Sequence, residues 1–285
     1  MDLLDAPVWR ARADAHAARA DAMTAGHRSR RARGEAHPVE DFLYTYYPTR
    51  PSVLRRWHPG GGVVLADADE RAGWRHYVAT DGGMRVDEDA LRAERAETLD
   101  FVGRLLRATA SRPAHLGCFG LHEWAMVYRA DATRHPVALR LGAAGTDDVV
   151  ESHRIRCTHF DAHRFFTPDA VPRNAEAPIR ARQVELEQPG CLHAGMDVLK
   201  WAHKLGPLVP GELLLDAFAL AHDIRVLDMR ASPYDLADHG YAPVRIETPG
   251  GKAEYVAAQR GFADRAAGLR TRLLAVVDGA GLIRS

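Results

Sequence analysis

The chain is poor in the features that hold small secreted folds together. Its 285 residues contain three cysteines, Cys118, Cys157 and Cys191, an odd number at wide spacing. That argues against a disulfide framework and fits a reducing compartment. No C-x₂₋₄-C pair of a structural zinc site is present. No apolar run approaches the ~20 residues of a membrane span, and MDLLDAPVWRARADAH lacks the basic-then-apolar pattern of a signal peptide. The expectation is a cytoplasmic protein without membrane association. Lysine is nearly missing: Lys200, Lys204 and Lys252 stand among 38 basic residues, which 38 acidic residues balance to zero net charge. Proteins that hold a phosphate backbone usually carry a basic excess, so charge gives nucleic-acid binding no support. Phosphate loops are missing as well. The glycines of RRWHPGGG lack the GxxxxGK[ST] lysine, and no GxGxxG spacing occurs.

What is present is ample apolar material, 46% of the residues against 27% charged, enough to bury a full core. The opening WRARADAHAARADAMTAGHRSRRARG favours helix. Its Arg28, Arg30, Arg31 and Arg33 read as a solvated helix end or a phosphate contact. We read residues 1–36 as an Ala/Arg-rich N-terminal helix and 37–285 as a single globular domain. Phe42, Leu43, Tyr46 and Tyr47 have helical spacing that Pro48 and Pro51 end. VVLAD and WRHYVAT, within 62–80, read as short strands. Residues 87–110 carry a helical apolar stripe, and 114–129 a second. PVALRLG and DDVVESHRIRCTHF read as strands in the chain's middle, and helices follow over about 192–205, 211–229 and 251–278. The fold class expected is α+β, mainly helical with a small central β element.

Each cysteine lies within four residues of a histidine, in CFGLHEW, CTHFDAH and CLHAGMD. If CTHFDAH is a strand, His159, Asp161 and His163 share one face. A histidine and a carboxylate from this stretch, with His122 or His193, would make the two-histidine, one-carboxylate set used by non-haem iron. His193 and Asp197, at i and i+4, also share a helix face. The candidate metal ligands are therefore His122, His159 and His193, and the cofactor they imply is iron or another divalent metal. The plainer reading is that these groups satisfy one another and that the cysteines are small buried hydrophobes. Glu123, beside Trp124 and Tyr128, is either an acid–base carboxylate with a raised pKa or an exposed helix residue. Arg230, in LDMRASPYDL, either clamps a phosphate or carboxylate or pairs with Asp228 or Asp235.

Taken together, HPVEDFLYTYY, RRWHPGGG, CFGLHEWAMVYR, RCTHFDAHRFFTP, EQPGCLHAGMDVLKWAHKL and LDMRASPYDL resemble a family of bacterial proteins, common in actinobacteria, that carries the label 3-methyladenine DNA glycosylase. The resemblance covers most of the chain from His37 onward. It implies an N-glycosidase that removes a damaged or modified nucleobase from DNA or from a nucleotide. Such enzymes flip the base into an aromatic pocket and use a carboxylate to activate water or to stabilise the sugar cation. Under that reading Trp57, Trp124, Tyr128, Phe165 and Phe166 line the pocket, and Asp161, Glu123 or Asp197 is the carboxylate. LGPLVPGELLLDAFALAHD is loosely similar to a helix–hairpin–helix turn followed by Asp223 and Asp228, without its second glycine. Two other readings stand beside it: a metal- or haem-dependent enzyme with a His/Asp centre, and a non-enzymatic binder of a flat ligand. Asp161, between His159 and His163, is the carboxylate expected to be most sensitive in all of them.

Overall fold

The computed structural model describes residues 1–47 and 49–279; Pro48, read above as a helix breaker, lies outside the described residues. Its helices are α1 (Ala6–Ala32), α2 (Phe42–Tyr46), α3 (Pro51–Leu54), α4 (Glu88–Ala110), α5 (Leu121–Ala125), α6 (Gly142–Glu151), α7 (Phe160–His163), α8 (Gln183–Leu186), α9 (Leu192–Leu205), α10 (Gly211–Arg230) and α11 (Pro249–Gly279). The strands are β1 (Asp2–Leu4), β2 (Val63–Leu65), β3 (Tyr77–Thr80) and β4 (Gly83–Val86). The fold is mainly helical α+β with one small mixed sheet. No described helix is long and apolar enough to cross a membrane. The described residues divide into two compact units: those of 1–107, 198–219 and 268–279, and those of 108–197 with 220–267.

The first unit holds the sheet, in the order β1-β2-β4-β3, with β1 parallel to β2 and the other pairs antiparallel. Thr80 pairs with Gly83, so Asp81-Gly82 is the two-residue loop of a hairpin, a dipeptide suited to the twist of the strands. Gly83 has φ 134°, and a Cβ there would lie 2.0 Å from the Leu65 carbonyl oxygen, so only glycine fits. One face of the sheet is closed by Trp9, Trp57, Leu65, Ala68 and Met84. Trp9 comes from α1, stacks on Trp57 at 6.5 Å and donates its indole N–H to the Ala66 carbonyl at 2.8 Å. Its burial gives an otherwise polar helix an anchor. The arginines at the end of α1 are held by surface carboxylates: Arg28 by Asp21, Arg30 by Asp41 and Arg33 by Glu35. That matches the solvated helix end.

The second unit contains no strand among the described residues, which corrects two expectations. Residues 142–151 form α6, because Thr146, Val149 and Val150 bury together at helical spacing. The remaining strand-like stretches contribute isolated bridges, Leu139 with Tyr234 and Ile155 with Asn174. The β element comes instead from residues 2–86, including the expected VVL and YVAT stretches. The helix read over 114–129 is confined to α5. Its start is set by Phe119 and Gly120, whose φ values of 52° and 70° no right-handed helix can contain.

Candidate functional site

The three motifs that pair a cysteine with a histidine meet inside the second unit. The left-handed turn at 119–120 brings Cys118 and His122 one turn apart, with Cys118 Sγ 3.6 Å from His122 Nδ1. The other side of that ring faces α10, where His122 Nε2 lies 3.0 Å from Asp228 Oδ1. Both groups are buried, His122 to 2% exposure and Asp228 to 0%. His193, from the first turn of α9, stands edge-on to His122 with ring centroids 4.5 Å apart. On its other side it stacks on His159 at 5.4 Å. His159 Nε2 lies 3.4 Å from both Glu187 Oε2 and Asp197 Oδ2. Gln183 steadies Glu187 by donating from Nε2 at 3.0 Å.

Two donor sets result, and in each the ligand atoms lie within 4.8 Å of one another: His122, His193 and Asp228, and His159, Glu187 and Asp197. All six residues are buried. Arg225, one turn before Asp228 on α10, donates to Glu123 at 2.8 Å and lies 3.6 Å from Asp228 Oδ2. Four carboxyl groups and one guanidinium thus share a region away from water, where ionised groups persist only when paired.

The three imidazoles respond differently to the same burial. Burial pushes His122 down, but the charge and hydrogen bond of Asp228 outweigh it and carry the ring well above its ordinary value. His159 is likewise pushed down by burial and lifted by Asp197 and Glu187, to about 9. Among the described residues no carboxylate hydrogen-bonds to His193, and Asp228 and Asp197 act on it through charge alone. Burial and the neighbouring His122 charge hold it well below its ordinary value, as a neutral ring with a lone pair to give. Glu123 differs from both readings made of it. It is buried, and although burial would raise its pKa, Arg225 holds it below the usual carboxylate range, so it is an ion-pair partner rather than a proton donor.

A narrow cleft opens onto the centre, lined by Cys118, Cys157, Cys191, His122, His193 and Tyr255 among others. It has room for about one water molecule. The three cysteines therefore converge, although their isolated spacing suggested scattered core residues. The other expected residues lie elsewhere. CTHFDAH is not a strand: His159 is extended, but Phe160–His163 is the helical turn α7, so 159 and 161 point apart. Asp161 lies 3.4 Å from both Arg164 and Arg180. Trp57 belongs to the core of the first unit. Trp124 is buried, donating its indole N–H to the Ala231 carbonyl. Tyr128 donates its hydroxyl to Glu151, and Phe165 lies beneath the guanidiniums of Arg134 and Arg164. None of these four, nor Phe166, lines the cleft. Arg230 donates to the Ala242 carbonyl and to Glu254, neither of the partners expected for it.

Glu187 and Arg225 were not among the expected site residues, and Asp228 was expected only as one of two aspartates after the hairpin-like turn or as a partner of Arg230. Arg225 and Asp228 had a signal: two charges three residues apart on a helix otherwise burying Ile224, Leu227 and Met229. Glu187 had none within its proline-rich surroundings. Asp223, the other aspartate after the hairpin-like turn, pairs with Arg265 at the surface. Comparison of the chain with protein-family models, with curated proteins and with solved structures found no match.

Proposed function

We propose that the second unit is the catalytic centre of a metal-dependent enzyme, with His122, His193 and Asp228 as the ligand set. The observation that supports it is the buried convergence of two imidazoles and one carboxylate within 4.8 Å. Two histidines and a carboxylate suit iron or another divalent ion and leave coordination positions for water or substrate. A metal bound there would supply Lewis acidity or an activated water. The protein's own part is to present neutral His193, to orient the Asp228 carboxylate through Arg225, and to keep bulk water out by burial. The test is metal analysis of the purified protein followed by titration with Fe²⁺, Mn²⁺ and Zn²⁺. One equivalent of divalent metal is expected to depend on this set, with its affinity falling at least tenfold in Asp228→Asn and in His193→Ala. A wild-type protein that takes up none of the three ions overturns the reading.

The substrate to assay first is the one the family resemblance implies, a modified nucleobase on an N-glycosidic bond. The buried carboxylates give that reading its chemical support. A base exceeds the room in the cleft, so the cleft must widen to admit it, and the same holds for a flat ligand bound without turnover. Release of 3-methyladenine from methylated DNA or from a methylated nucleotide tests it, and no release from either removes it.

A further inference from the structure

The cleft gathers the entire cysteine content of the chain. Cys118 comes from the turn before α5, Cys157 from the extended stretch before α7, and Cys191 from the loop that opens α9. All three are free thiols. Packing of small hydrophobes gives no reason for all three cysteines to line one space whose other walls are mostly polar, with Arg156, Thr158, Gln188 and Gln259 beside Leu192. Gln259 is 1% exposed, and its Oε1 has no hydrogen-bond partner. A buried acceptor left this way calls for a hydrogen-bond donor such as water beside it. The separation of 3.6 Å between Cys118 Sγ and His122 Nδ1 also matches the spacing of neighbouring ligands on a tetrahedral ion with bonds of about 2.0 to 2.3 Å.

We infer that this cleft is a thiolate site for a thiophilic metal, with Cys118, Cys157 and Cys191 as ligands and His122 Nδ1 as the nearest nitrogen donor. It uses different donor atoms from the set proposed above, since that set takes the Nε2 side of His122, so either can fail alone. Binding exchanges three S–H bonds for three S–metal bonds. A divalent ion and three thiols give a metal tris-thiolate of charge −1 and three released protons, with no change of oxidation state. Arg156 lines the cleft with a guanidinium that offsets the new negative charge.

Among the described residues the three sulfurs are not one of the donor sets within 4.8 Å of one another. A single ion would draw them closer. An iron–sulfur cluster would hold each on a different iron, farther apart, and would need the cleft to widen beyond its room for about one water. Thiolate ligation is common to both, and the experiment separates them. The full chain, purified without oxygen, is assayed for iron and acid-labile sulfide, and the metal-free protein is titrated with Co²⁺ alone. The expected result is one of two signatures: a thiolate-to-cobalt charge-transfer band saturating at one equivalent and displaced by Zn²⁺, or iron and sulfide in similar amounts. Each of Cys118→Ser, Cys157→Ser and Cys191→Ser should lower it at least tenfold. A thiol count on the wild type needs no variant: three thiols shielded when loaded and reactive after chelation. The charge-transfer band reports sulfur ligation only, so metal bound solely by His122, His193 and Asp228 would not produce it. Absence of both signatures, or metal binding that leaves all three thiols reactive, overturns the inference.

Discussion

Both units enclose histidines, and three rings of the first meet different partners from His122 and His159 of the second. In the first, His16 bonds the Leu54 carbonyl at 2.7 Å, His58 the Tyr77 hydroxyl at 2.9 Å and His203 the Thr49 hydroxyl at 3.2 Å. None of these partners is ionised, and burial wins: His58 falls to about 3 and His203 to about 4. In the second, His122 and His159 are buried more deeply, yet each faces carboxylates and rises instead. Burial sets the default toward the neutral ring, and the partner decides whether it holds. In the first unit the neutral ring is a packing element with one hydrogen bond. A buried imidazolium among carboxylates is a charge that a metal ion can replace, which is why chemistry is sought in the second unit.

The largest expected effect comes from removing the partner. Asp228→Ala leaves His122 and Arg225 buried with less opposing charge, and breaking a buried pair from one side costs about 3–5 kcal/mol. Denaturant unfolding measures it. A loss under about 1 kcal/mol would show that His122 is neutral in the fold and that the contrast between the units is not one of charge.

Next comes acid, which should act on the first unit through His58 and His203. Their folded-state pKa values lie below the unfolded value of about 6.5. Above pH 6.5 both states carry neutral rings and the contribution is complete. As pH falls from there toward 3–4, the unfolded chain takes up protons that the folded chain refuses, so stability falls. Each histidine should remove about 2 kcal/mol between pH 6.5 and 4.5. Carboxylates titrate in part of that range, so the reading is the difference between wild type and His58→Gln. The variant should show a shallower fall of Tm with acid, and identical slopes would mean that His58 accepts its proton within the fold.

Thr49→Val probes the same side of the comparison more gently. It removes the hydroxyl from His203 while keeping the shape, and a neutral hydrogen bond contributes about 1 kcal/mol. A loss several times larger would place His203 among the charged histidines.

Much of this arrangement was legible before any coordinates. The apolar period over residues 87–110 and the three later helices recur as α4, α9, α10 and α11 because each buries a stripe long enough to outvote local propensity. The meeting of His122, His159 and His193 was legible in their recurrence beside the cysteines. The partners were not. Asp228 is 106 residues from His122, and no periodicity carries a contact over that distance. Asp81-Gly82 carried a hairpin signal, while the run around Val149 and Val150 misled because an apolar pair serves a strand face or a helix face equally well.

The smallest effect is expected where the sequence pointed most strongly. Read as a strand, CTHFDAH puts Asp161 between two histidines on one face. Formed as the turn α7, it sends Asp161 toward Arg164 and Arg180, in ion pairs of 3.4 Å between side chains that keep contact with water. Solvent screens such pairs, and each contributes between zero and about 1 kcal/mol. Asp161→Asn keeps the size and most of the hydrogen bonding, so stability should move by no more than about 0.5 kcal/mol. Metal content should stay at the wild-type level, since Asp161 belongs to neither buried donor set. Asp197→Asn is the matched control, because that carboxylate lies 3.4 Å from buried His159. If Asp161→Asn loses metal or turnover while Asp197→Asn keeps both, the working carboxylate is the one at the turn, and the contrast drawn from buried charge gives way to the sequence pattern.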